Sequence, residues 1–365
     1  MSEPPQGTRL RRRSRWRDPP AAATWPPSAS AGRLRHPNAD VLIVALPTTA
    51  GWRAAVPALA GAIEQAGARV ALAAAAPARA VRTFALTDLV QARAARAAAL
   101  KGIAAHRPRA LVYASTTAGL LGPRPGAIWL DSPAAENRPG RHGAWQRPVE
   151  RRRVSRAPLL LPMSEGGLAA LGALSGTPTV VLPVPVEPSG APPVERDVAA
   201  LAYAADARKK GLARILAAWA QARHPDETLL VAGQPVGPLA DGAEGTGLLA
   251  PPDYRALVRR ARVFIAAPRH EDFGIAQLEA LADGCRLVST PASGPYPALA
   301  LARALDPRSV GEDLAAAIRA ALDAPPDGYA ERAAALLAPY RREAFAATVR
   351  ERVLPILLGD ARDDR

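Results

Sequence analysis

From Ala39 onward, short apolar runs alternate with longer stretches of helical spacing. ADVLIVALP (39–47) reads as a buried strand ending in a turn. GWRAAVPALAGAIEQAG (51–67) reads as a helix stopped by a glycine, and ARVALAAAA (68–76) as the next strand. The pattern continues through RALVYAS (109–115), GAIWLDS (126–132), APLLLPMS (157–164) and TPTVVLPV (177–184). Strands that alternate with helices are joined by crossovers and so lie parallel, which predicts a doubly wound sheet. Runs that are apolar at nearly every position fit a sheet covered on both faces.

A proline-rich break, PVPVEPSGAPPVE (183–195), interrupts this pattern and reads as a hinge. The alternation then restarts: DVAALAYAA (197–205) as strand, KGLARILAAWAQA (210–222) as helix, ETLLVAGQP (227–235) as strand. DYRALVRRA (253–261) follows as helix, ARVFIAAP (261–268) as strand, GIAQLEALADG (274–284) as helix and RLVSTPA (286–292) as strand, with helical material at roughly 311–323 and 328–358. A chain of 365 residues is too long for one ordinary core and suits two. With 49% hydrophobic but only 4% aromatic residues, those cores are built from Ala, Leu and Val. Two Rossmann-like units are therefore expected, at 37–187 and 188–330, with a helical segment at 331–358. Ligands of such sheets sit at the carboxyl ends of the strands, so the cleft between the units is the expected site.

The net charge of +14 invites a nucleic-acid reading. Lysine occurs only at Lys101, Lys209 and Lys210, so the charge is almost all arginine, as in a GC-rich coding bias. Residues 1–36 hold eight Arg against Glu3 and Asp18, a net of +6. This Pro-, Ser- and Arg-rich segment has too few large apolar groups to fold alone and reads as a disordered tail. No zinc-finger spacing or aromatic-interleaved basic motif accompanies it, so no specific nucleic-acid binding is expected. The single cysteine, Cys285, excludes an intramolecular disulfide and a cysteine metal cluster and reads as a small core residue. No apolar run reaches the roughly 18–20 residues that span a bilayer. The expectation is a soluble, cytoplasmic protein.

The stretch RHEDFGIAQLEALADG (269–284) places Glu271 in the loop at a strand's carboxyl end and Glu279 inside the following helix. Their spacing suits gripping two ends of an elongated, hydroxyl-rich ligand better than acting as an acid/base pair. Between them, the backbone N–H groups of Phe273, Gly274 and Ile275 open the helix and offer an anion site, which Gly274 leaves unobstructed. Hydroxyls, an anion and more hydroxyls describe a nucleotide-sugar. The alternative is a solvated loop acid and a surface helix acid; Leu278, Leu281 and Ala282 flank Glu279, so its carboxylate needs a partner.

EDFGIAQLEALADGCRLVST resembles the signature of the family 4 (group 1) retaining glycosyltransferases, which share the two-domain GT-B fold. The likeness extends over most of 39–325 and is strongest from 248 to 292. It implies that Glu271 meets the transferred sugar, Glu279 holds the ribose, and the amides of Phe273 to Ile275 contact the donor. AADARKKGLARILAAW (204–219) resembles the family segment whose Arg and Lys clamp the donor diphosphate. Lys210 matches the lysine, and Ala205 stands where the arginine belongs. Either Arg208 or Lys209 substitutes, or the site is impaired. Fixed cations stabilise the charge left on a departing diphosphate without requiring a metal. No cofactor is expected beyond the nucleotide-sugar as donor substrate.

In the first unit, PTTAGW (47–52) stands in place of the family's glycine-rich loop, with Gly51 its one glycine. It either contacts the donor or is a plain strand-to-helix turn. IWLDSP (128–133) puts Asp131 where many relatives carry a histidine; an Asp there either bonds an acceptor hydroxyl or caps a turn. His270 reads as a loop side chain. The basic, loop-like ENRPGRHGAWQRPVERRRVSR (136–156) either meets an anionic or lipid-linked acceptor and the inner membrane surface, or is a solvated loop. The resemblance implies transfer of a hexose to an unidentified acceptor with retention of anomeric configuration. The competing expectation is a degenerate scaffold that binds a nucleotide-sugar or a partner without catalysis.

Overall fold

The computed structural model describes residues 38–359 apart from 47–48, 77–80, 82, 139, 173–175 and 192–194, so the arginine-rich segment 1–36 lies outside the described residues. The first sheet contains β1 (Val41–Ala45), β2 (Val70–Ala74), β3 (Ala110–Ala114), β4 (Ala127–Leu130) and β5 (Leu160–Pro162), all parallel in the order β2-β1-β3-β4-β5. Every residue of β1 is buried, because α1 (Ala50–Gln65) and α2 (Phe84–His106) close over the sheet. Thr49 starts α1 by accepting the Trp52 N–H at 3.3 Å. The short helices α3 (Thr116–Gly119), α4 (Ala134–Asn137), α5 (Gln146–Val154) and α6 (Glu165–Leu171) follow the later strands.

Segment 177–184, expected as a strand, runs beside β5 without becoming one. Val180 and Leu182 donate to the carbonyls of Leu160 and Pro162, but Pro178 and Pro183 have no N–H to extend the ladder. The basic stretch 136–156, expected as a loop, is largely helical: a 3-10 turn at Gly140–Gly143 and then α5. Its inward residues include Gln146 and Glu150, so the apolar periodicity that reveals a helix is missing.

The second sheet has the order β11-β10-β6-β7-β9-β8. Its strands are β6 (Val198–Tyr203), β7 (Leu229–Ala232), β8 (Gly237–Ala240), β9 (Ala243–Gly245), β10 (Ala261–Ala266) and β11 (Arg286–Ser289). All pair in parallel except β8, which forms an antiparallel edge with β9. The helices are α7 (Leu212–Ala222), α8 (Pro251–Arg260), α9 (Ile275–Ala282), α10 (Pro297–Leu305), α11 (Leu314–Asp323) and α12 (Tyr329–Leu336). Then α13 (Arg342–Thr348), a π turn and α14 (Leu354–Leu358) reach the first half: the Phe345 ring lies 6.0 Å from Trp129, and Arg109 donates to the Leu358 carbonyl.

Strand order reverses between β1 and β3 in the first sheet and between β6 and β10 in the second. Open α/β sheets present a crevice at such reversals, beyond the carboxyl ends of the strands. Both crevices are lined here by the residues that the motifs single out.

Candidate functional site

The second-sheet crevice is built by two glycine-dependent turns. After β6 the chain turns at Gly211 (φ 68°), where a Cβ would lie 1.9 Å from the Ala267 carbonyl oxygen. Only glycine permits that approach, and it brings Lys210 against the end of β10. After β10, the turn carrying Glu271 is fastened by its own N–H to the Ser293 carbonyl at 3.0 Å. Gly274 (φ 81°) then opens α9, with the Tyr296 ring where its Cβ would be. No side chain caps α9, so its first N–H groups keep the positive end of the helix unsatisfied.

Within this frame Lys210 Nζ donates to Glu271 Oε2 at 2.5 Å, and Gln277 Nε2 donates to the same oxygen at 3.2 Å. Glu271 is 6% exposed and buried against these two groups. Gln277, in the first turn of α9, leaves its own Oε1 without a partner. Phe273 is buried with its ring 6.3 Å from Tyr340, so its side chain is a core group. Ile275 reaches across to the first domain: a Cβ on Gly51 would lie 2.8 Å from Ile275 Cδ1. Gly51, in the first turn of α1, therefore touches the start of α9. The space beside Lys210, Ala276 and Gln277 is only about 10 Å³ in this arrangement.

Glu279 lies further along α9, part exposed, and its partner is a protein cation: Arg255 Nη1 stands 3.4 Å from Oε1. Arg255 also binds the buried Asp283 at 2.8 Å and the Glu187 carbonyl, while Asp283 holds Ser189 of the linker. Burial pushes the Glu279 carboxyl above its usual range, against the pull of Arg255. Tyr203 and Tyr254, edge to face at 5.8 Å, border the same acid, and the buried Tyr254 hydroxyl has no partner. Arg208 is exposed, as is Ala205. Lys209 points the other way, 3.9 Å from Asp272.

The first-sheet crevice is larger, about 200 Å³, and is lined by Thr49, Ser115, Asp131 and Arg138 together with Lys209 and Asp272 of the second domain. Asp131 directly follows β4, half-buried, with Oδ1 accepting the Ser132 N–H at 2.9 Å. Burial and the neighbouring Asp272 charge push Asp131 up to about 6. Against the effect of burial, the hydrogen bond from His270 and the Lys209 charge hold Asp272 below the ordinary carboxylate range. His270 is pinned between Asp272 and Ser293, each at 2.9 Å. Beneath them, Arg138 and Gln146 both bind the buried Asp88, and both Glu150 oxygens accept the Ala134 N–H. Burial pushes Glu150 up to about 7.

Sequence reasoning did not find Gln277, Arg255 or the Asp88–Arg138–Gln146–Glu150 group. Gln277 lies six residues beyond Glu271, and its role shows only once the turn is folded. Arg255 sits on another helix, and Gln146 and Glu150 lie in the stretch expected as a loop. Among the described residues, no His/Cys/Asp/Glu group could hold a metal ion, and no helix is long and apolar enough to cross a membrane.

Residues 196–324, which carry the Lys210 and Glu271 turns, match the family model described as Glycosyl transferases group 1. No curated protein matches the sequence. In fold the chain is similar to WaaG, a glycosyltransferase involved in lipopolysaccharide biosynthesis, at TM-score 0.64 and 16% identity over 88% of this chain and 100% of that one. It is also similar to sucrose-phosphate synthase from Thermosynechococcus elongatus, at TM-score 0.59 and 18% identity over 84% and 96% of the two chains. HepE from Anabaena, solved in complex with UDP and glucose, gives TM-score 0.61 and 14% identity over 87% and 99%. The architecture is the GT-B fold.

Proposed function

We propose that the protein is a glycosyltransferase that moves a hexose from a nucleotide-diphosphate sugar to a hydroxyl acceptor, with retention and without a metal. The observation that carries this reading is the contact of Lys210 with the buried Glu271 beside the uncapped start of α9. A cation, a carboxylate and free backbone amides there supply what a departing diphosphate and a sugar ring require. On this reading Lys210 and the amides of Phe273 to Ile275 take the charge that develops on the diphosphate. Glu271 then accepts from sugar hydroxyls, and Glu279 from the ribose, beside Tyr203 and Tyr254. Asp131 and the first-sheet crevice face the acceptor. Donor binding parts Gly51 from Ile275 and draws Lys210 off Glu271, since the present space is too small for a nucleotide.

A second reading, a scaffold that binds a nucleotide-sugar without turnover, is favoured by Ala205 in place of the family arginine. Thermal-shift measurements with UDP- and GDP-sugars test the donor site, because a ligand that binds only the folded state raises the melting temperature. Hydrolysis or transfer assays on the donor so found then separate the two readings. Turnover that disappears in Lys210→Ala supports the enzyme; binding without turnover supports the scaffold. No shift with any nucleotide-sugar overturns both.

A further inference from the structure

The first-sheet cavity carries an excess of hydrogen-bond acceptors that the protein itself does not satisfy. Of its four carboxylates, Asp88 is matched by Arg138 through two hydrogen bonds of 2.7 and 3.1 Å. Asp272 is held by His270, with Lys209 at 3.9 Å. Asp131 and Glu150 remain, each holding only a backbone N–H, and among the described residues neither has a cation within 4.0 Å. Gln146, 1% exposed, lines the same cavity. Its Nε2 is committed to Asp88, which fixes the amide's orientation and leaves Oε1 with no donor. Thr116, which lines the same cavity, also has a hydroxyl without a partner. A buried acceptor without a donor is costly, and a cavity lined with several of them is complementary to a ligand rich in N–H and O–H groups.

Size narrows the choice. At about 30 Å³ per water, the 200 Å³ cavity holds six or seven waters, or one six-membered ring with its substituents. Charge narrows it further: the lining cations Arg138 and Lys209 already face Asp88 and Asp272, so an anionic group would meet Asp131 and Glu150, and like-charge contacts of this kind oppose binding. Burial leaves Glu150 about half ionised at pH 7, and an ammonium beside it draws it into the charged form. The anionic or lipid-linked acceptor that is one of the two readings of 136–156 therefore does not suit the cavity. The arginines of α5 that give that stretch its charge include the exposed Arg151 and Arg152, whereas Gln146 and Glu150 are its buried face.

We propose that this cavity is the acceptor subsite and that it takes a small polyhydroxylated amine, with its ammonium at Asp131 and Glu150 and its hydroxyls toward Gln146, Thr116 and Asp272. This rests on the transferase reading for the word acceptor, but the ligand class follows from the cavity alone.

Three sugars that share one pyranose ring and differ in charge test it: glucosamine, glucose and glucose 6-phosphate, titrated against the full chain at pH 7 by saturation-transfer NMR. Glucosamine is expected to bind about tenfold or more tighter than glucose, the effect of one charge-assisted hydrogen bond, and glucose 6-phosphate is expected to bind weakest. Asp131→Asn and, separately, Glu150→Gln should each reduce the preference for glucosamine over glucose, with a thermal melt of each variant confirming that it is folded. Glucose binding as well as glucosamine, the phosphate binding tightest, none of the three binding, or both folded variants keeping the full preference would each overturn the proposal. The donor thermal shift is read separately. An amine preference without donor binding sinks the transferase reading and leaves the cavity assignment; donor binding without the preference does the reverse.

Discussion

Lys210 and Glu271 form a pair whose removal can be worked through in numbers. Their side chains are 19% and 8% exposed and meet at 2.5 Å, so solvent screens them little. Replacing Lys210 by Met leaves Glu271 buried with a single side-chain donor, Gln277 at 3.2 Å. An orphaned buried charge of this kind costs about 3–5 kcal/mol. At about 2–4 °C per kcal/mol for a domain of this size, the melting temperature should fall by roughly 10 °C. Glu271→Gln strands the ammonium instead, at a smaller cost because Lys210 is more exposed and can swing toward water. Combined, Lys210→Met and Glu271→Gln remove both charges, and the double variant should be more stable than Lys210→Met alone. The cycle is measured by thermal melts of all four proteins at pH 7, with donor turnover alongside. A coupling of about 2 kcal/mol or more is expected, and loss of turnover in each single variant and in the double. Additive stability effects, with coupling under about 0.5 kcal/mol, would refute the claim that this is a buried pair whose charges depend on one another.

Other perturbations probe separate parts of the molecule. Burial raises Glu150 from an ordinary 4.5 to about 7, so the folded state holds its proton more tightly than the unfolded chain. The stability this contributes is present below about pH 4.5 and is lost as pH rises through 7; Glu150→Gln should therefore gain on the parent by about 1–3 kcal/mol between pH 5 and 8 in denaturant titrations. Ala205→Arg, at an exposed position beside Lys210's turn, should tighten binding of a nucleoside diphosphate by about tenfold in calorimetry. Phe345→Ala removes the ring packed on Trp129 and should cost about 3–5 kcal/mol, releasing the last helices to early cleavage in limited proteolysis. Deleting residues 1–36 should leave the donor thermal shift unchanged at moderate salt, where bulk charge is screened.

The fold was readable where the core is apolar and unreadable where it is not. β1 is enclosed along its whole length, and its sequence VLIVA says so at every position. Helix α2 gives no such signal: its inward residues are Ala92, Ala95 and Ala99, among outward alanines, so the two faces barely differ. The edge strands β8 and β9 are short, part exposed and built around Gly237, Pro238 and Gly245, residues that read as loop. At the site, Glu271, Lys210 and Gly274 were legible because a strand end, a turn and a helix start fix their positions from local sequence. Glu279's partner was not: Arg255 lies 24 residues earlier on another helix, and only packing brings them together. The buried polar face of α5 was hidden for the same reason, since its partners Asp88 and Ala134 are distant in sequence or in element.

The carboxylates that face the gap are, for the most part, already matched by the protein's own groups: Glu271 by Lys210, Glu279 by Arg255, Asp272 by His270. On the proposed reading, ligand binding is then an exchange of partners. A diphosphate that takes Lys210 frees Glu271 for a sugar hydroxyl, and a ribose that takes Glu279 leaves Arg255 to Asp283. Such exchanges yield little net free energy per contact, because the charges are compensated before and after. The Gly51–Ile275 contact must also be broken, and the observed affinity is reduced by whatever fraction of molecules is open. Tightening that contact should thus weaken donor binding without touching any donor group. Gly51→Ala does the opposite: it crowds the closed form through Ile275 Cδ1 and should favour the open one. If opening limits binding, Gly51→Ala binds nucleotide faster and tighter than the parent in stopped-flow fluorescence. If its binding is slower or weaker, α1 and α9 do not gate the site and Gly51 instead contacts the donor directly.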